Sequence, residues 1–229
     1  MEHIMPRNQS GFTLVEIAIV LVIIGLLLGG VLKGQELINS AKVKNFAQDF
    51  RSIPLFIYGY QDKYRALPGD DAAYSAHLGS AATAAGVTLL APIAGTLGNG
   101  TLNGFYNSVT STDETLAFWQ QARLAGLAAG PTDFSTAALI TAGVPTNADG
   151  GRIGIQSTTP IIGMTGSYFV CSEGIQGKFA KQLDTTTDDG NTAAGSMRVV
   201  SGPYSGSELP AVATASIVDG TTYIVCLAL

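Results

Sequence analysis

Between Phe12 and Leu32 the chain reads FTLVEIAIVLVIIGLLLGGVL, an apolar run interrupted only by Thr13 and Glu16. A helix over these twenty-one residues spans roughly 31 Å, enough to cross a bilayer's hydrocarbon core. Such a segment must sit in lipid or be covered by other apolar helices. An ordinary secretory signal has a basic start, a short apolar stretch and then a small-residue cleavage site. Here the small polar pair Ser10-Gly11 comes before the apolar run, and nothing like A-x-A follows it. The helix is therefore expected to survive processing, behind the short polar segment MEHIMPRNQSG with its single Arg7. Met5 is an alternative start and would leave a still shorter leader. Glu16 is costly at this depth and calls for a compensating partner.

Gly11, Phe12, Thr13, Leu14, Val15 and Glu16 form the pattern G-F-T-L-x-E, followed directly by the apolar run. At these residues the sequence resembles the type IV pilin and type II secretion pseudopilin family. The resemblance implies that a membrane prepilin peptidase cuts between Gly11 and Phe12 and methylates the new amino group of Phe12. Removing eleven of 229 residues leaves a mature chain of 218. Glu16 becomes its fifth residue and Gly25 its fourteenth, where family members commonly have glycine. The implied function is a structural subunit of a type IV pilus or type II secretion pseudopilus. Such a subunit is held in the bacterial inner membrane by one pass, with its head in the periplasm. It then enters a helical filament in the periplasm or at the cell surface. Implied partners are other pilin or pseudopilin subunits, prepilin peptidase, an inner-membrane platform protein and a cytoplasmic ATPase.

Physics supplies a purpose for the acid. In a filament whose apolar helices bundle, Glu16 can meet the amine of a neighbour's Phe12, which compensates a charge that is costly alone. The alternative is an interfacial acid on a plain anchor, its carboxylate snorkelling to the headgroups. Many pilins have proline where Lys33 stands; Gly25, Gly29, Gly30 and Gly34 offer another source of flexibility.

Beyond Lys33 the pattern turns amphipathic. Leu37, Ala41, Phe46, Phe50, Ile53, Ile57, Tyr60 and Tyr64 recur at helical spacing between charged residues. One helix from Phe12 to Tyr64 is expected, on the order of 80 Å long, with a kink at Pro54. The phrase ALPGDD, Ala66 to Asp71, ends it in a turn. Residues 79–112 carry no charge and read as an extended loop with short strands or a weak helix. Thr112 or Asp113 caps a further helix, in which Trp119 fills the core and which Gly130-Pro131 stops. From Gly151 onward RIGIQ, SYFVCSE, SMRVVSG, ASIVDG and TYIVCLAL predict an antiparallel sheet of about four or five strands. The expected fold is α+β and pilin-like: a long N-terminal helix, apolar then amphipathic, packed on a C-terminal antiparallel sheet. Its expected divisions are a leader (1–11), a membrane or filament-core half-helix (12–34), an amphipathic half-helix (35–65) and a head (66–229). The head has a loop-rich part at 79–112 and a β-rich part at 151–229. YRALPGDD, FWQQARLAGL and LDTTTDDGNTAAGSMRV also look like phrases of large prepilin-type proteins.

The net charge is −5 with no block of Lys or Arg, so nothing here resembles a nucleic-acid footprint. Cys171 and Cys226 close similar β-favouring runs, YFVC and YIVC. In an exported chain a disulfide between them is favoured over two buried thiols. Asp184, Asp188, Asp189 and Asn191 surround Gly190. Clustered oxygen ligands suit Ca²⁺, and some major pseudopilins have a calcium site toward the C-terminus. The spacing does not match an EF-hand, and Asp-Gly is first a turn signal, so a solvated turn is favoured over the metal. No other cofactor is expected. The two histidines, His3 and His77, form no metalloprotease motif, and there is no nucleophile elbow or P-loop, so a non-enzymatic role is expected. The alternative to a filament subunit is a minor or tip pilin, or a membrane-anchored adhesin-like protein. The mature length and the uncharged stretch at 79–112 motivate it.

Overall fold

The computed structural model describes residues 13–93 and 95–229. Its elements are α1 (Leu14–Tyr64), α2 (Tyr74–Ala85), α3 (Glu114–Leu124), α4 (Ala137–Gly143), β1 (Ile153–Gln156), β2 (Phe169–Gln176), α5 (Gly177–Thr187), β3 (Met197–Val200), a 3₁₀ turn (Thr214–Ser216) and β4 (Thr222–Ala228). The chain divides into two compact units, Met1–Ala41 and Lys42–Leu229.

In the first unit, α1 carries its apolar residues from Leu14 to Leu32 exposed. This helix is long and apolar enough to cross a membrane. An ion pair, Lys33 to Glu36 at 2.6 Å, lies on its exposed surface, where such pairs contribute little.

The second unit is built on a four-stranded antiparallel sheet in the order β1-β2-β4-β3. Strand alternation gives the sheet two faces. Val170, Val199 and Val225 point to one core, together with Ile153 and Ile155 of β1. Against that face pack Val43, Phe46, Ala47, Phe50, Ile53 and Ile57 of α1, with Phe179, Ala180 and Leu183 of α5. The ring of Phe46 lies 6.1 Å from that of Phe179. The expected helix-on-sheet packing is thus present, and α5 and α3 complete it. Phe169, Cys171, Ile224 and Cys226 point to the other face and are covered by Tyr106, Ile161, Met164 and Tyr204. Gly154 in β1 allows one close approach, since a Cβ there would stand 2.1 Å from the Tyr106 carbonyl oxygen.

Several sequence expectations need correction. The uncharged stretch is not among them: the helix allowed for there is the end of α2, which runs to Ala85 and buries Ala82. The β-rich region contains α5, whose Phe179, Ala180 and Leu183 form one apolar face. ASIVDG forms no strand; its first two residues, Ala215 and Ser216, belong to the 3₁₀ turn Thr214–Ser216. The helix expected to run to Gly130 stops at Leu124, with Gly126 at φ 80° close behind. The side chain of its N-cap residue, Asp113, makes no capping bond; the carboxylate accepts instead from the Ser108 hydroxyl at 2.6 Å. The kink expected at Pro54 is compatible with α1, which runs unbroken from Leu14 to Tyr64 with Pro54 inside it. Trp119 lies in the core as expected.

Candidate functional site: a prepilin-type N-terminus and a carboxylate cluster

Of the residues expected to govern processing and assembly, Gly11 and Phe12 lie outside the described residues. Glu16 lies in the first turn of α1. Its Oε2 accepts from the Thr13 amide at 2.8 Å and from the Thr13 hydroxyl at 2.7 Å. The Thr13 Oγ1 in turn accepts from the Glu16 amide at 3.3 Å. This reciprocal pattern is a capping box, T-x-x-E, which satisfies two donors otherwise left free at a helix start. A carboxylate there also complements the positive end of the helix dipole. Both contacts to the carboxylate use Oε2, and Oε1 takes part in no hydrogen bond among the described residues. Thr13 is therefore a functional partner that sequence reasoning passed over, although its spacing to Glu16 was a visible signal.

Prokaryotic N-terminal methylation sequences match this chain over residues 6–32. The chain carries the type IV pilin and pseudopilin signature. No curated protein matches it. The matched residues include the apolar beginning of α1, from Leu14 to Leu32.

Cys171 and Cys226 form a disulfide. They face each other directly in the β2–β4 register and are fully buried. The bridge closes a sequence separation of 55 residues.

The acidic cluster is assembled from two local structures. Asp184 sits in the C-terminal part of α5, fully buried, and neither of its carboxylate oxygens has a hydrogen-bond partner. Asp188 is the C-cap of that helix and accepts from the Met197 amide at 2.9 Å and the Ser196 hydroxyl at 3.1 Å. Asp189 accepts from the Asn191 amide at 2.8 Å. One oxygen from each of Asp184, Asp188 and Asp189 lies within 4.8 Å of the others. Burial raises the Asp184 pKa to about 6, and the charges of Asp188 and Asp189 add to the rise. A solvated turn describes Asp189 and Asn191, which are exposed, but not Asp184. The Asn191 Oδ1 accepts from the Ala193 amide at 3.3 Å. An all-oxygen donor set with two unpaired buried oxygens fits a hard divalent cation.

His77 belongs to a different arrangement. Its Nδ1 lies 2.7 Å from Asp71 Oδ2, which also accepts from the Tyr60 hydroxyl at 2.7 Å. Asp71 Oδ1 accepts from the Ala73 amide at 2.8 Å. This buried carboxylate ties the end of α1 to the start of α2. Burial and the contact with Asp71 push the Tyr60 hydroxyl pKa far up, so it stays a donor. The sequence reading placed Asp71 in a turn and missed this role.

Proposed function

We propose that this protein is a structural subunit of a type IV pilus or type II secretion pseudopilus. Prepilin peptidase cuts it between Gly11 and Phe12 and methylates Phe12. Its apolar helix then passes from the inner membrane into a helical filament. The observation that carries this reading is the methylation signature over residues 6–32 fused directly to an exposed, membrane-length apolar helix. The capped Glu16 leaves one oxygen for a neighbour's Phe12 amine. Each apolar side chain covered by neighbours would contribute about 1.5–3 kcal/mol relative to water. The head would stand in the periplasm while the helix is in the membrane.

A minor or tip subunit, or an anchored adhesin-like protein, is the second reading. It is supported by the irregular stretch between α2 and α3, which leaves Ile93 and Val109 exposed. Abundance separates the two. A major subunit dominates a sheared filament fraction, whereas a tip subunit is nearly absent from it.

We also propose that Asp184, Asp188 and Asp189, with Asn191 alongside, hold calcium. The unpartnered oxygens of Asp184 favour this over a turn alone.

A further inference from the structure

Asp49 lies on the head-unit part of α1, at one flank of the stripe formed by Phe46, Phe50 and Ile53. Its carboxylate takes part in no salt bridge among the described residues. It lines two adjoining clefts, of about 220 Å³ and about 290 Å³, which share Asp49 and Thr146. The first is walled by Phe56, Trp119 and Arg123. The second is walled by the neutral polar groups of Asn45, Gln48 and Asn147.

Arg123 is not the missing partner. Its guanidinium donates to the carbonyls of Ala129 at 3.1 Å, Pro131 at 2.8 Å and Gly143 at 2.8 Å. It also lies over the rings of Trp119 and Phe134. Burial alone raises the Asp49 pKa, to about 6, with no cation acting against it. A half-buried carboxylate that lacks an ion-pair partner among the described residues is able to receive a cation from another chain.

The same helix carries the complement on its other flank. Arg51 follows Asp49 by two residues, about 200° around the helix, and Lys44 precedes it by five, about 140° around. Both are exposed, and neither takes part in a salt bridge among the described residues. A chain with an unpaired acid in a cleft on one flank and unpaired cations on the other is complementary to itself head to tail. Such a heterologous interface does not close into a two-fold dimer; repeated, it gives a ring or an open helical filament.

We propose that the Asp49 clefts receive the Lys44 or Arg51 side chain of a second copy of this chain. The proposal rests on the filament reading above and adds a contact within the head to that of Glu16. Asn45, Gln48 and Thr146 line the clefts and supply oxygens that can accept the remaining donors of the incoming cation. The ion pair sets register and polarity between copies, because it forms only when the opposite flanks of two helices meet.

Cross-linking of the full-length protein in cells tests it. Asp49→Cys is co-expressed with Lys44→Cys in one strain and with Arg51→Cys in another, and sheared filaments are mildly oxidised and run without reducing agent. The native cysteines are already paired and do not interfere. The expected result is a covalent dimer from at least one mixture, none from either variant alone, and none from Asp49→Cys mixed with Lys178→Cys. Filaments that assemble normally but give no dimer from either mixture would overturn the contact. Wild-type cells that make no filament would overturn the filament reading instead. As a second readout, Asp49→Asn should lower filament yield about tenfold while the melting temperature of the unassembled protein is unchanged or raised. A lowered melting temperature with normal yield would show a role within the subunit only and would also overturn the proposal.

Discussion

Glu16 carries two tasks on one carboxylate. Within its own chain it caps α1 through the Thr13 amide and hydroxyl, and in a filament it would compensate a neighbour's amine through its other oxygen. The second task is a proposal that the sequence suggests, because an acid in an apolar run calls for a partner. The first was equally written in T-x-x-E but was masked by the weight of the longer motif. Glu16→Ala should leave membrane insertion intact, because the variant is more apolar, and should cut filament incorporation at least tenfold. Normal incorporation, measured by immunoblot of sheared filaments, would show the acid to be dispensable. Asp184 is the residue where sequence reasoning was weakest. Nothing in LDTTTDDGN distinguishes a buried aspartate from its exposed neighbours, because the distinction depends on α5 turning that side chain inward. Calcium at a hundredfold over its dissociation constant should stabilise the protein by about 2.7 kcal/mol. For a chain of this size that raises the melting temperature by about 5–10 °C. Asp184→Asn should abolish the rise. A melting temperature indifferent to calcium and to chelator would remove the metal.

At the scale of elements, periodicity carried most of the reading where one face of an element is buried. The stripe of α1 and the runs around Phe169, Met197 and Tyr223 were legible for that reason. The segments 177–187 and 214–216 were not. The first places its apolar residues at helical spacing over too few turns to stand out among strands. The second favours strand by composition but adopts a tight turn beside β4. The cross-strand bridge was legible because both cysteines end the same β-favouring pattern. In the chain-entropy account, a loop of this length makes the Cys171–Cys226 bridge worth about 4 kcal/mol. Replacing both cysteines by alanine should lower the unfolding free energy of the detergent-solubilised protein by about that amount, read from denaturant midpoints. A loss under 1 kcal/mol would contradict a structural role for the bridge.

For the whole molecule, the argument joins an N-terminus with a processing signature to a head whose sheet, disulfide and helix packing make it a stable body. The G-F-T-L-x-E pattern settled what the N-terminus resembles, while the choice between pilus and secretion filament depends on surfaces that no short motif encodes. In the proposed assembly Glu16 and the self-complementary flanks of α1 would both make contacts between copies, and the first of these would depend on a cut at Gly11. The most direct measurement is therefore intact-mass and N-terminal peptide mass spectrometry of the protein from cells with and without prepilin peptidase. The account predicts a chain beginning at N-methylated Phe12 in normal cells and an unprocessed chain in cells lacking the peptidase. A chain beginning at Met1 or Met5 in both strains would contradict it.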